Sequence, residues 1–305
     1  MGRALTNRLL LSDPQADTQP FPPRPIDVYT QFGVYLNEDC LKEVVNMPSY
    51  RTSSIQTKSW AEYDGIDVDI SEPVLDARTI KLQFHCSRSH SGSDSATAFV
   101  DYLVQKTYYR FFFAIIQYNI ILRYVSSQSL VWNSAFDTFT LTFAVDNPTV
   151  ADTSPSEPTS LQGTLKMDNS YFASFGCMEL KGTKAAFNKL EAVKERLKVS
   201  RDTIDGVWYD EDGTNKIQYP DIAIPLHMRP SSITHFWSNW NGLFTGLTKF
   251  NLDGQAIRVI SDGVKDVECY YKKCAVNKFK MLNDGSVWVD FTLTFAVISK
   301  SLVTT

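Results

Sequence analysis

The chemistry-bearing side chains are few: four histidines and five cysteines in 305 residues. Cys40, Cys86, Cys177, Cys269 and Cys274 are an odd, scattered set with no C-x-x-C pair, the pattern of reduced thiols used for packing rather than of a disulfide framework. Cys269 and Cys274 resemble half a zinc site, but no second pair of Cys or His lies at ligand spacing, so two thiols in or near a β-hairpin is the expectation. No phosphate cradle, dinucleotide fingerprint, H-E-x-x-H or nucleophile elbow occurs. Asp210-x-Asp212-Gly213-x-Asn215 resembles the start of a calcium loop but lacks its glycine placement and terminal bidentate Glu, and it reads as a hairpin turn. No two of the 34 acids stand out as a glycosidase pair. The expectation is a structural or binding protein, not an enzyme, with no catalytic, cofactor-binding or metal residues and no cofactor.

Composition agrees. Apolar side chains make up 43% and charged ones 21%, ordinary globular values that suggest two domains at this length. The 19 Phe, 14 Tyr and 6 Trp exceed what a solvated chain carries. A net charge of −4 argues against the basic surface with which nucleic-acid binders collect phosphates. The most apolar segment, Phe111 to Val125, is interrupted by Gln117, Asn119 and Arg123 and reads as buried strand, so no membrane anchoring is expected. Leu9-Leu10-Leu11 is too short for a signal-peptide core, and the chain reads as made in a cytoplasm.

The elements that would position any site are organised by a repeat. FTLTFAV occupies Phe139 to Val145 and again Phe291 to Val297. Its Phe, Leu, Phe and Val alternate with Thr, Thr and Ala, the period-two pattern of a strand with one packed face. Upstream, the same order recurs. Phe32-Gly33 answers Phe175-Gly176, and Asp64-Gly65 is matched to Asp212-Gly213 as a hairpin turn. Strands then end at His85-Cys86 and His227-Met228, so the two histidines fall at equivalent points. Ser93 to Lys106 and Ser231 to Phe244 follow as helices, with Ala98, Val100, Leu103 and Val104 on the apolar face of the first, and Phe236, Trp237, Trp240 and Phe244 on that of the second.

Four segments result: an extended proline-rich arm over 1–25, a first domain over 26–146, a solvated linker over 147–162, and a second domain over 163–305 with a helical insertion at 181–201. The insertion places Ala186, Leu190, Val193 and Leu197 at helical spacing and carries seven Lys/Arg against two Glu. The arm holds five of the thirteen prolines, and its Leu9, Leu10, Leu11 and Phe21 are candidate contacts to a neighbouring domain or subunit.

This layout, with "DVYTQFGVYLNEDCLKEVVNMPSYRT", "WAEYDGIDVD", a strand, a helix and a closing FTLTFAV, resembles the tail-tube fold of tailed bacteriophages and is similar to tail proteins of phages of Bacteroides-type hosts. The resemblance spans residues 26 to 299. It implies a β-rich α+β fold: two tandem β-barrel or sandwich domains of tail-tube type, each with one flanking helix. It further implies self-association into a trimeric or hexameric ring, other tail proteins (tube, hub, tape measure) as partners, genomic DNA only in transit through the channel, and a place in the virion tail. A distal-tail or baseplate-hub adaptor is the favoured role, since an unequal second half is easier to fit in one terminal ring than in a stack. A duplicated major tail-tube protein is its sibling. A carbohydrate-binding β-sandwich, with Trp237, Trp240, Tyr270 and Tyr271 as stacking platforms, is the reading from another class.

Overall fold

The computed structural model describes residues 8–15, 24–86, 92–128, 131, 137–160, 163–195, 198–200, 202–203, 205–209 and 214–302. The chain is β-rich, with a curled, half-barrel sheet and a second large sheet. The first half contributes β1 (Leu9–Ser12), β2 (Ile26–Asp27), α1 (Val28–Phe32), β3 (Val34–Leu36), α2 (Leu41–Val45), β4 (Gln56–Lys58), β5 (Asp67–Asp69), β6 (Arg78–Cys86), α3 (Gly92–Leu103), β7 (Tyr109–Phe113), β8 (Tyr118–Ser127) and β9 (Asp137–Val145). The second contributes β10 (Lys166–Met167), β11 (Ser170–Tyr171), β12 (Cys177–Glu179), α4 (Thr183–Phe187), β13 (Ala192–Val193), β14 (Lys198–Val199), β15 (Trp208–Tyr209), β16 (Ile217–Gln218), β17 (Ile222–Met228), α5 (Ile233–Thr248), β18 (Arg258–Ser261), β19 (Lys265–Met281) and β20 (Val287–Leu302).

The two seven-stranded sheets run β2-β1-β7-β8-β9-β6-β3 and β11-β10-β18-β19-β20-β17-β12, the same order twice. The two FTLTFAV copies are central strands, β9 and the middle of β20. In each, Phe, Leu and Phe are buried while the two threonines are half-buried, as alternation requires. Register repeats as well. Phe139 faces Phe84 where Phe291 faces Leu226, and Phe143 faces Ile80 where Phe295 faces Ile222. Even an irregularity is copied: β8 skips a residue between Tyr124 and Ser126, and β19 between Tyr271 and Lys273, opposite the same Phe–Thr step of the repeat. Phe32-Gly33 and Phe175-Gly176 each end a short helical turn with glycine in the left-handed region, at φ 67° and 74°. Buried apolar residues of both halves form one continuous core.

Several expectations need correction. The arm is not separate from the first sheet. Leu9–Ser12 is β1, inserted between β2 and β7 with Leu9 opposite Phe113 and Leu11 opposite Phe111. Its second-half counterpart is β10. Residues 168–169 alone turn β10 into β11, whereas residues 13–25 connect β1 to β2. On α3 the buried stripe is Phe99 and Leu103, while Ala98 and Val104 are exposed. Phe99 sets that rotation by packing on Phe84 and Phe32, with ring centroids 5.4 and 5.3 Å apart. On α5, Phe236, Trp240 and Phe244 are buried as expected.

The insertion at 181–201 is not one helix. Among its described residues only Thr183–Phe187 is helical, anchored by the fully buried Phe187. Leu190 and Val193, meant for the same apolar stripe, are exposed, because the helix stops at Phe187 before reaching them; Leu197 lies outside the residues whose side chains are described. The chain instead pairs as β13 with β16 and β14 with β15.

Candidate functional site

Residues 147–160 of the linker form a strap hydrogen-bonded to α5 rather than a solvated tether. Asn239, fully buried on α5, accepts the backbone N–H groups of Ser156 and Glu157 at 2.9 and 3.1 Å and donates to the Glu157 carbonyl at 2.7 Å. Those three bonds satisfy both ends of one buried amide. The Thr153 hydroxyl donates to the Ser238 carbonyl at 3.0 Å and the Ser238 hydroxyl to the Ser154 carbonyl at 2.7 Å, and Gly242 leaves the room that Pro155 occupies.

The strap lies beside a junction between the halves. The end of α2 and the residues after it meet α5 and β19: the Trp240 indole N–H donates to the Val45 carbonyl at 2.9 Å, and the Tyr271 hydroxyl to the Pro48 carbonyl at 2.9 Å. Trp237 stacks on Tyr118 at 4.3 Å and donates to the Ile116 carbonyl at 2.6 Å. Trp240, Tyr270 and Tyr271 are buried, so the aromatic platforms expected of a sugar-binding module are spent on packing. A cleft of about 580 Å³ remains between strap, Tyr118 and the two indoles. Arg78 on its wall donates to the Glu43 and Val44 carbonyls at 3.1 and 2.9 Å, capping the last turn of α2, and burial lowers its pKa.

The β4–β5 hairpin completes the junction. Its Asp64-Gly65 turn takes both backbone groups of Ile217: the Asp64 carboxylate accepts the Ile217 N–H at 2.8 Å, and the Gly65 N–H donates to the Ile217 carbonyl at 2.8 Å. Gly65, at φ 70°, sits so close that a Cβ would lie 2.1 Å from the Ile298 carbonyl oxygen. Lys194, a buried member of the basic insertion, donates from Nζ to the Trp60 carbonyl at 3.0 Å. Ile70 is gripped from both sides, its N–H by the Gln255 side chain at 2.6 Å and its carbonyl by the Ala256 N–H at 3.2 Å.

The residues singled out for chemistry are dispersed. His85 and His227 occupy the same register position, but His85 faces Thr138 and packs on Tyr35, and burial lowers its pKa. His227 faces Asp290, with Nδ1 at 2.6 Å from the carboxylate and Trp288 against its ring at 4.3 Å. All five thiols are free. Burial pushes Cys86 up to about 11 and Cys274 to about 12, and raises Cys40, Cys177 and Cys269 as well. Cys269 and Cys274 both lie on β19, in the β19–β20 hairpin. Among the described residues no three His, Cys, Asp or Glu side chains gather into a metal-holding group. Residues 210–213 of the calcium-like string lie outside the described residues, as does Phe21. Of the candidate arm contacts, Leu9 and Leu11 are buried in the chain's own first sheet and Leu10 is half-buried there, because sheet pairing has already consumed them.

The signal missed along the sequence is the Asp-Gly pair at 205, one of five in the second half. Asp205-Gly206-Val207 opens β15 as Asp64-Gly65-Ile66 opens β5, so Asp205-Gly206, not Asp212-Gly213, is the counterpart of the docked turn. Compared with known protein families and with curated proteins, the sequence matches none.

Proposed function

We propose that the chain is a structural component of a phage tail, a ring-forming distal-tail or baseplate-hub adaptor around the DNA channel at the tail tip. The observation that carries this reading is the doubled sheet: one strand order used twice, with the first half docked on the second through a contact between unlike surfaces. A contact of that kind between like units repeats from copy to copy until the ring closes. Each half also ends in very short edge strands, β2 and β3 or β11 and β12, which closure would cover. On this reading the two halves are tandem tube-type domains, and the protein works by assembly rather than catalysis. Its partners are copies of itself and the tube, hub and tape-measure proteins. A net charge of −4 fits DNA that passes through rather than binds, since binding requires phosphate neutralisation.

Electron microscopy of the purified chain and of virions tests the proposal. A trimeric or hexameric ring with an open centre, found in one layer at the tail tip, is the expected result. Rings stacked along the whole tail would assign the tube instead, and a monodisperse monomer at high concentration would overturn the reading.

A further inference from the structure

We propose that the β14–β15 hairpin is an intermolecular tongue, whose Asp205-Gly206 turn docks on the Leu75 edge of a second copy of this chain. The inference rests on the ring-forming reading and specifies its contact. The docked and undocked hairpins are the same device. DGIDVD runs from Asp64 to Asp69 and DGVWYD from Asp205 to Asp210. Lys58 pairs with Asp67 as Val199 pairs with Trp208, and Thr57 with Val68 as Lys198 with Tyr209. Both glycines are left-handed, Gly65 at φ 70° and Gly206 at φ 86°.

Their surroundings differ completely. Gly65 is buried against the Ile298 carbonyl, whereas nothing stands within 4 Å of a Cβ built on Gly206. Beside Gly206, Val207, Trp208 and Tyr209 are 44%, 63% and 50% exposed, an apolar run on a hairpin that would gain from cover.

The receiving edge is duplicated too. Ile217 pairs with Val193, and the flanking bond from the Lys194 N–H to the Lys216 carbonyl, 2.8 Å, turns the Ile217 backbone groups outward to Asp64-Gly65. In the first half Leu75 pairs with Tyr50, and the Arg51 N–H donates to the Val74 carbonyl at 2.7 Å. This turns the Leu75 backbone groups outward in the same way, and they make no bond among the described residues. Arg51 takes the place of Lys194, with its guanidinium half exposed beside Asp76 at 3.5 Å. Turn and edge therefore both stand open. Joining them between molecules repeats the internal contact: the Asp205 carboxylate accepts the Leu75 N–H, the Gly206 N–H donates to the Leu75 carbonyl, and Arg51 reaches the tongue backbone.

Analytical ultracentrifugation with negative-stain microscopy of the full chain, of Asp205→Ala, of Trp208→Ser and of Asp205→Ala/Val207→Asp tests this. All three positions are exposed, so circular dichroism and thermal melting should match the unmodified chain. The single variants should associate roughly 10- to 100-fold more weakly, as loss of a charged acceptor or an interface aromatic predicts, and the double variant should stay monomeric. Rings of unchanged strength in the double variant would overturn the tongue and leave the ring-forming reading standing. A monomeric unmodified chain would overturn both.

Discussion

The two halves share a sheet but not its trimmings. Strand order, the register of FTLTFAV, the skipped residue beside it and the left-handed glycine after the first helical turn are the same in both. The links between those features differ: thirteen residues of proline-rich chain against a two-residue turn between the first two strands, and a docked hairpin against an open one. Central strands resist change because one slipped residue sends every buried ring to the wrong face. Peripheral turns are free to diverge, and it is there that the halves acquire different neighbours.

The largest test of that equivalence is the pair Phe143→Ala and Phe295→Ala. Both rings are fully buried at matching positions, and each truncation should cost about 3–5 kcal/mol in chemical denaturation. Because the core is continuous, both should shift a single transition. Separate transitions, each moved by one variant only, would break the comparison.

Next in size is the glycine pair. Gly65→Ala drives a Cβ into the Ile298 carbonyl and should cost about 3–5 kcal/mol, while Gly206→Ala, strained in backbone but free of contact, should cost about 1 kcal/mol in the monomer. Equal melting temperatures would show that the docked turn is not held as described.

Asn239→Leu strands two strap N–H groups and a carbonyl, for about 2–3 kcal/mol, and should expose residues 147–160 to limited proteolysis. An unchanged digestion pattern would mean that the strap is held by Pro155 and the serines instead.

The smallest effect is a pH slope at His85. Its pKa lies below the ordinary value near 6.5 because burial disfavours the cation. The unfolded chain therefore binds the proton first, so this contribution is complete above about pH 6.5 and declines as pH falls below it towards the folded value. Thermal melts from pH 7.5 to 5 should show that decline reduced in His85→Asn.

What could be read from the sequence followed the strength of the pattern. The exact heptapeptide and the Phe-Gly pairs located the central strands and helical turns, because alternation and left-handed glycine are local properties. Leu9-Leu10-Leu11-Ser12 gave no alternation, and its partner β7 lies a hundred residues away, so nothing local marked it as a strand. The second half offers Asp-Gly at 205, 212, 253, 262 and 284, and only the pairing of β14 with β15 singles out the one at 205. The strap escaped notice because proline, serine and threonine look solvated until a buried amide such as Asn239 is found to bind them. The contact between halves was invisible for a related reason: its specificity lies in backbone groups of Ile217, Pro48 and Val45, which side-chain identity does not report.

The five sheltered thiols carry a consequence for durability. Burial raises the pKa of every one of them, and thiol–disulfide exchange and oxidation both begin from the thiolate. Carried from a reducing environment into air, such thiols would form cross-links slowly. In denaturant the chain would come apart without any reductant, since none of its cysteines is paired.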